Sequence, residues 1–292
     1  MTVTRGRVLL ALLSVYLIWG STYLAMRMAI AGMSPLFMAA VRYVIAGGLI
    51  YAFLLWRGHA QPTPRQWRNA GLVGIFLLLG GNGSVGLAME RGVNSALSAT
   101  VVAITPLCAA IFARFWGHKP SPREWAGLGL GLLGMLLLKQ GQGLEGSLPG
   151  FLLLLLAAVS WSFGSMWGKH QEQPSIWMAS AVQMLVGGAV LGLVSLARGE
   201  PWTLPASRES AWALVYLILI GAIVGFSSYV YLLASVRPAL ATSYAYVNPL
   251  VAVAIGVGLG GEVVDRSELI GLAVILSGVV LVCWPVAEKS HD

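Results

Sequence analysis

Ten runs of mostly apolar residues divide the sequence, most of them long enough to cross a bilayer. They cover residues 8–27, 35–56, 70–89, 94–115, 125–138, 149–168, 175–196, 211–234, 239–259 and 268–286. A membrane-crossing helix needs about 20 such residues. The fifth run is shorter than the rest, which fits an untilted crossing or a locally thinned bilayer. The only other lipid-compatible architecture, a closed β-barrel, requires strands that alternate apolar and polar residues. Runs such as FLLLLLAAV and LGLLGMLLL do not alternate. The predicted fold class is therefore an all-α membrane protein with ten transmembrane helices.

Composition agrees, with 58% hydrophobic against 10% charged residues and a mean hydropathy of +0.80. The net charge of +7 does not point to nucleic acid, because no basic stripe interleaved with aromatics exists. Lys and Arg fall instead in short loops, the distribution that orients membrane proteins. With the N-terminus in the cytoplasm, eleven of these residues lie inside and six outside, so both termini are expected to be cytoplasmic. The segment TRGRVLLALLSVYLIWG starts like a signal peptide, but no small-residue cleavage site follows and its apolar stretch runs on, so it is expected to be the first span. Cys108 and Cys283 lie in apolar runs without metal or disulfide spacing, and no cofactor or metal is expected.

An internal repeat sets the topology. VNSALSATVVAITPLCA (93–109) falls on VRPALATSYAYVNPLVA (236–252) at an offset of 143, which pairs Pro106 with Pro249. At an offset of 144, Gly127 and Gly134 meet Gly271 and Gly278; at 142, Trp19 meets Trp161. MAAVRYVIAGG resembles MASAVQMLVGG, which sets Arg42 against the neutral Gln183. The expected units are 1–144 and 145–292, each with five helices. An odd number of crossings inverts the second copy relative to the first. Many secondary transporters share this plan, with a site near the midplane between the halves.

These features together, with WGSTYLAMR closing the first span and TPL and NPL in spans four and nine, resemble the EamA-type members of the drug/metabolite transporter superfamily. Within it the chain looks most like the YddG-type exporters of aromatic amino acids in bacterial inner membranes. The resemblance implies a deep cavity lined by spans three, four, eight and nine, with spans one, two, six and seven as flanking gates.

Several residues could carry the work. Pro106 and Pro249 remove the donors to the carbonyls of Val102 and Ala245, so both spans should kink. The kinks serve either as hinges of alternating access or as static bends. Thr100, Thr105, Tyr244, Tyr246 and Asn248 decorate these spans with polar groups suited to a wet cavity. Arg42 is the only charged side chain well inside a span, where an arginine costs about 2.5–3.5 kcal/mol, so function is its default reading. It suits a bidentate grip on a solute carboxylate, or a clamp on helix carbonyls. Asn82, among glycines, is a pore-side amide or a packing residue. Trp19, Trp161 and Trp167 lie deep enough to stack an aromatic solute or to pack helices. Trp56, Trp67, Trp116, Trp125 and Trp284 sit where interfacial anchors do.

All Asp, Glu and His fall in loops, tails or span ends, so no buried proton relay is visible and facilitated diffusion is the expected mechanism. The absence of a Ser/His/Asp set or membrane-depth carboxylates argues against an enzyme. The sequence thus predicts a transporter in the bacterial inner membrane exporting a small amphipathic solute, an aromatic or other apolar amino acid. Its predicted partners are that solute and the lipid bilayer, with no nucleic acid. A carrier of another metabolite or drug and a channel are the alternatives.

Overall fold

A computed structural model describes residues 5–93, 95–138, 147–260 and 266–283. All regular structure among the described residues is helical. In chain order the spans are α1 (Arg5–Ile30), α2 (Pro35–Trp56), α3 (Pro64–Glu90), α4 (Ser95–Val102 and Thr105–Ala113), α5 (Pro122–Leu138), α6 (Leu148–Lys169), α7 (Ile176–Ala197), α8 (Arg208–Ser235), α9 (Pro238–Thr242 and Tyr244–Gly260) and α10 (Arg266–Cys283). The expected unit boundary at 144–145 and Trp284 lie outside the described residues.

Several helices start earlier than the apolar runs because polar caps nucleate their first turns. Thr63 and Gln66 form a reciprocal capping box ahead of α3, with Pro64 in its first turn. Ser121 and Glu124 do the same for α5 at 2.8 and 3.2 Å. Ser147 and Ser207 cap α6 and α8. Hydropathy reports only the lipid-immersed part of each span.

The two copies interdigitate. Helix α1 packs on α8 and α9 of the other copy, while α6 packs on α3 and α4; α2 pairs with α7, and α5 with α10. Each pairing is what a two-fold axis relating the copies requires. The repeat-matched glycines show it most directly. A Cβ built on Gly127 would stand 2.8 Å from the Gly278 carbonyl oxygen, and one on Gly134 would stand 2.8 Å from that of Gly271. The mates meet crosswise, so α5 and α10 run antiparallel with their backbones in contact. Small residues permit this close approach, which drives helix association in lipid.

Both third spans widen at the same place. Ile75–Gly83 in α3 and Leu217–Phe226 in α8 are π-helical, a form that concentrates at functional sites. Side chains from the opposite copy reach carbonyls in these wide turns. Ser160 Oγ donates to the Phe76 carbonyl at 2.8 Å, and Trp19 Nε1 donates to that of Gly221 at 3.3 Å. Such partners are needed where the regular ladder is disturbed in lipid.

The two prolines are not equivalent, which corrects the expectation of a symmetric pair of kinks. At Pro106 the helix breaks between Val102 and Thr105, and the Thr105 hydroxyl takes up the freed Val102 carbonyl at 2.6 Å. Pro249 sits inside a continuous helix; α9 breaks earlier, at Ser243. There the Ser243 hydroxyl bonds the Leu240 carbonyl at 2.8 Å. The α9 break is set by a serine that competes for backbone acceptors, six positions before the proline.

Candidate functional site

A cavity of about 60 Å³ lies between the copies. By the measure in which one water needs roughly 10–15 Å³, it has room for several waters. Its walls come from α1 (Trp19, Thr22, Tyr23, Met26), α2 (Arg42, Tyr43), α3 (Gly81, Asn82, Val85), α4 (Val102), α6 (Ala157, Trp161) and α9 (Tyr244, Asn248). Helices α1 and α2 are therefore primary walls, not flanking elements, and α8 contributes no lining residue. The reason is Trp19. Its indole lies in front of α8, bonded to the Gly221 carbonyl, and a Cβ on Gly225 would stand 2.7 Å from Nε1.

Six of the ten residues singled out in the sequence meet at this cavity: Trp19, Arg42, Asn82, Trp161, Tyr244 and Asn248. Three do not. Thr105 is consumed in bonding the Val102 carbonyl, while its own carbonyl accepts from Ser162 at 3.0 Å. Trp167 packs on Phe76 toward the end of α6. Tyr246 turns the other way, into a separate core under α5, where its hydroxyl donates to the Leu128 carbonyl at 3.1 Å. The side chain of Thr100 lies outside the described residues. Neither Pro106 nor Pro249 lines the cavity.

The floor is aromatic. Trp19 stands edge to face with Trp161 at 5.4 Å and with Tyr244 at 4.7 Å. Tyr229 completes the cluster, 5.2 Å from Trp19 and 5.4 Å from Trp161. Its hydroxyl accepts from Trp161 Nε1 at 2.9 Å and pairs with the Ser165 hydroxyl at 2.8 Å. One turn further toward the start of α1, the Tyr16 and Ser243 hydroxyls meet at 2.6 Å across α1 and the α9 break. The cavity is thus shut on the side of the α1 N-terminus. Tyr229 has no aromatic repeat mate, so nothing in the sequence marked it.

Among the described residues the wall holds one formal charge. Arg42 is the eighth residue of α2, about 10 Å along the helix axis from its first turn, and it is only 2% exposed. Its Cζ lies 4.7 Å from the Tyr43 ring centroid. Nε and Nη1 have no hydrogen-bond partner, and Arg42 takes part in no ion pair among the described residues. Among the described residues, no Asp, Glu or His lines the cavity. The Oδ1 atoms of Asn82 and Asn248 are likewise buried and unpartnered. Groups of this kind ordinarily have partners in a folded protein. Tyr23 and Asn248 share a side-chain hydrogen bond, but the two Oδ1 atoms and two guanidinium nitrogens are left over among the ring faces, which suits an amphipathic guest carrying an anionic head.

Ion pairs brace both ends. At one, Arg198 pairs with Glu90 at 3.2 Å and Glu200 at 3.5 Å, and Glu200 Oε2 accepts from the Phe37 amide at the start of α2. At the other, Arg237 before α9 pairs with the buried Glu124 of α5 at 2.7 Å and donates to the Val282 carbonyl of α10.

The EamA-like transporter family matches this chain twice, over residues 6–139 and 148–284. The inner membrane transporter YedA of Escherichia coli is 45% identical over 93% of this chain and 89% of its own length. The transporter YvbV of Bacillus subtilis is 29% identical over 96% and 92%. A solved crystal structure superposes with a TM-score of 0.80 at 23% identity, covering 96% of this chain and 97% of that one, which shows the shared fold.

Proposed function

Because the chain belongs to the EamA-like transporter family, a family of carriers and not of enzymes, we propose that it exports small amphipathic solutes bearing a carboxylate, aromatic or other apolar amino acids first among them, by alternating access through this cavity. The observation that carries the reading is Arg42, buried and unpaired on the cavity wall. A guanidinium is the side chain best matched to a carboxylate. Trp19, Trp161 and Tyr244 supply ring faces for an apolar or aromatic body. The asparagine Oδ1 atoms can accept from an ammonium group.

Alternating access requires the wall to move, and the π-helical stretches of α3 and α8 are the segments least committed to one register. The lack of Asp, Glu or His on the wall among the described residues supports movement down the solute gradient over proton coupling. The Lys and Arg bias supports cytoplasmic termini, and similarity to YedA supports an inner-membrane location.

Reconstituted protein should take up labelled aromatic amino acids saturably, show counterflow, and respond little to an imposed pH gradient. No flux of any amino acid in a monodisperse preparation would end the substrate reading. Flux without saturation or counterflow would make the protein a channel.

A further inference from the structure

Arg42 raises a question that solute binding alone does not answer: what balances its charge when no solute is present? The Gln183 that matches it in the second copy is neutral and has its own Oε1 buried without a partner. Its own helix neighbour Tyr43 offers only a ring face. The guanidinium lies against α8, where a Cβ on Gly221 would stand 2.9 Å from Nη2. Nε and Nη1 are buried and unpartnered, and Arg42 lines a cavity large enough for one small ion with some water.

We infer that the Arg42 site holds a small monovalent inorganic anion of the chloride class whenever a solute carboxylate does not fill it. A halide accepts several N–H bonds at once and needs no fixed geometry. The anion would neutralise Arg42 during the return of the unloaded carrier, and a solute carboxylate would displace it. Chloride and solute then compete for one cation. The anion site stands on Arg42 itself; only the competition rests on the proposed solute class.

The test uses the full-length protein in detergent, with sodium chloride replaced stepwise by sodium gluconate at constant ionic strength. The expected result is a melting temperature that rises saturably with chloride in the wild type, less steeply in Arg42→Lys, and not at all in Arg42→Gln. Equilibrium binding of radioactive chloride to the wild type, approaching one ion per chain, keeps the test decisive if Arg42→Gln folds poorly. No saturable chloride binding to the wild type, or an equal rise in melting temperature in a folded Arg42→Gln, overturns the inference. Phenylalanine added to the chloride-loaded wild type separates the two readings. Displacement supports both; chloride binding that phenylalanine leaves untouched keeps the anion site and removes the aromatic amino-acid solute; phenylalanine binding without any chloride binding does the reverse.

Discussion

Trp19 and Trp161, which occupy the same place in the two copies of the repeat, touch each other edge to face with ring centroids 5.4 Å apart. Only residues close to the axis relating the copies can meet their own mates, so this pair marks the centre of the molecule. It also forms the floor of the cavity, which ties the symmetry of the fold to the path a solute must take.

Replacing Trp19 by Ala removes the ring that touches Trp161, Tyr229 and Tyr244 together and uncovers the Gly221 carbonyl. The expected stability cost is about 3 kcal/mol. The floor should open, so that solute leaks without counterflow. Trp161→Phe keeps a ring and loses only the bond to Tyr229, about 1 kcal/mol, and should retain counterflow. Paired efflux and counterflow measurements on the two variants check the contrast; equal behaviour would remove the floor from the mechanism.

Arg42→Gln should reduce the transport efficiency for carboxylate solutes by about thirtyfold or more, the equivalent of about 2 kcal/mol for a lost buried charge pair. Arg42→Lys keeps the charge but not the fork and should fall between. The loss should vanish for solutes whose carboxylate is amidated. Competition assays with acid and amide forms of one amino acid provide the readout. Equal loss for both forms would make Arg42 structural.

The spans and the repeat were legible because lipid imposes length and apolarity on every crossing. The lining of the cavity was less so. In a bilayer the packed and lipid-facing sides of a helix are both apolar, so periodicity does not say which face points inward. Tyr246 and Thr105 therefore looked as suitable as Tyr244 and Asn248, although Tyr246 faces α5 and Thr105 serves its own helix. The π-helical stretches left no trace in the sequence pattern, since a shift of register changes hydrogen bonds and not composition. Arg42 was legible because a charge at depth needs a reason whatever its direction.

The unequal breaks give unequal consequences for the two prolines. Pro106→Ala restores a backbone donor toward Val102, whose carbonyl Thr105 now occupies, and Val102 lines the cavity. It should straighten α4 and slow transport severalfold with little loss of stability. Pro249→Ala lies six positions past the α9 break and should have the smaller effect. Transport rates normalised to folded protein test the order, and a larger effect at Pro249 would refute it.

The pair of Glu124 and Arg237 joins α5 to the start of α9 at the end of the molecule beyond the aromatic floor, with the carboxylate 3% exposed. Glu124→Gln weakens that link and should cost about 1–2 kcal/mol, less than for a fully buried pair because Arg237 is partly exposed. Access from that end should rise. Single cysteines placed near the α8–α9 junction should then react faster with a membrane-impermeant thiol reagent. Unchanged reactivity would leave the pair a static brace.

Close backbone packing of α5 on α10 supplies a last test with an internal control. A methyl group on Gly127 would meet the Gly278 carbonyl oxygen at 2.8 Å and Val282 at 2.8 Å, whereas one on Gly129 meets nothing within 4 Å. Backbone cannot yield as a flexible side chain does, so Gly127→Ala should cost about 1–3 kcal/mol through overpacking. Gly129→Ala should be neutral or stabilising by up to about 1 kcal/mol, because alanine favours the helix. Both glycines sit on the same helix two residues apart, so helix propensity alone cannot separate them, whereas Gly127 is buried against α10 and Gly129 is exposed. Melting temperatures that move together would mean that α5 and α10 do not meet through these glycines, and the crosswise contact of repeat mates would lose its support.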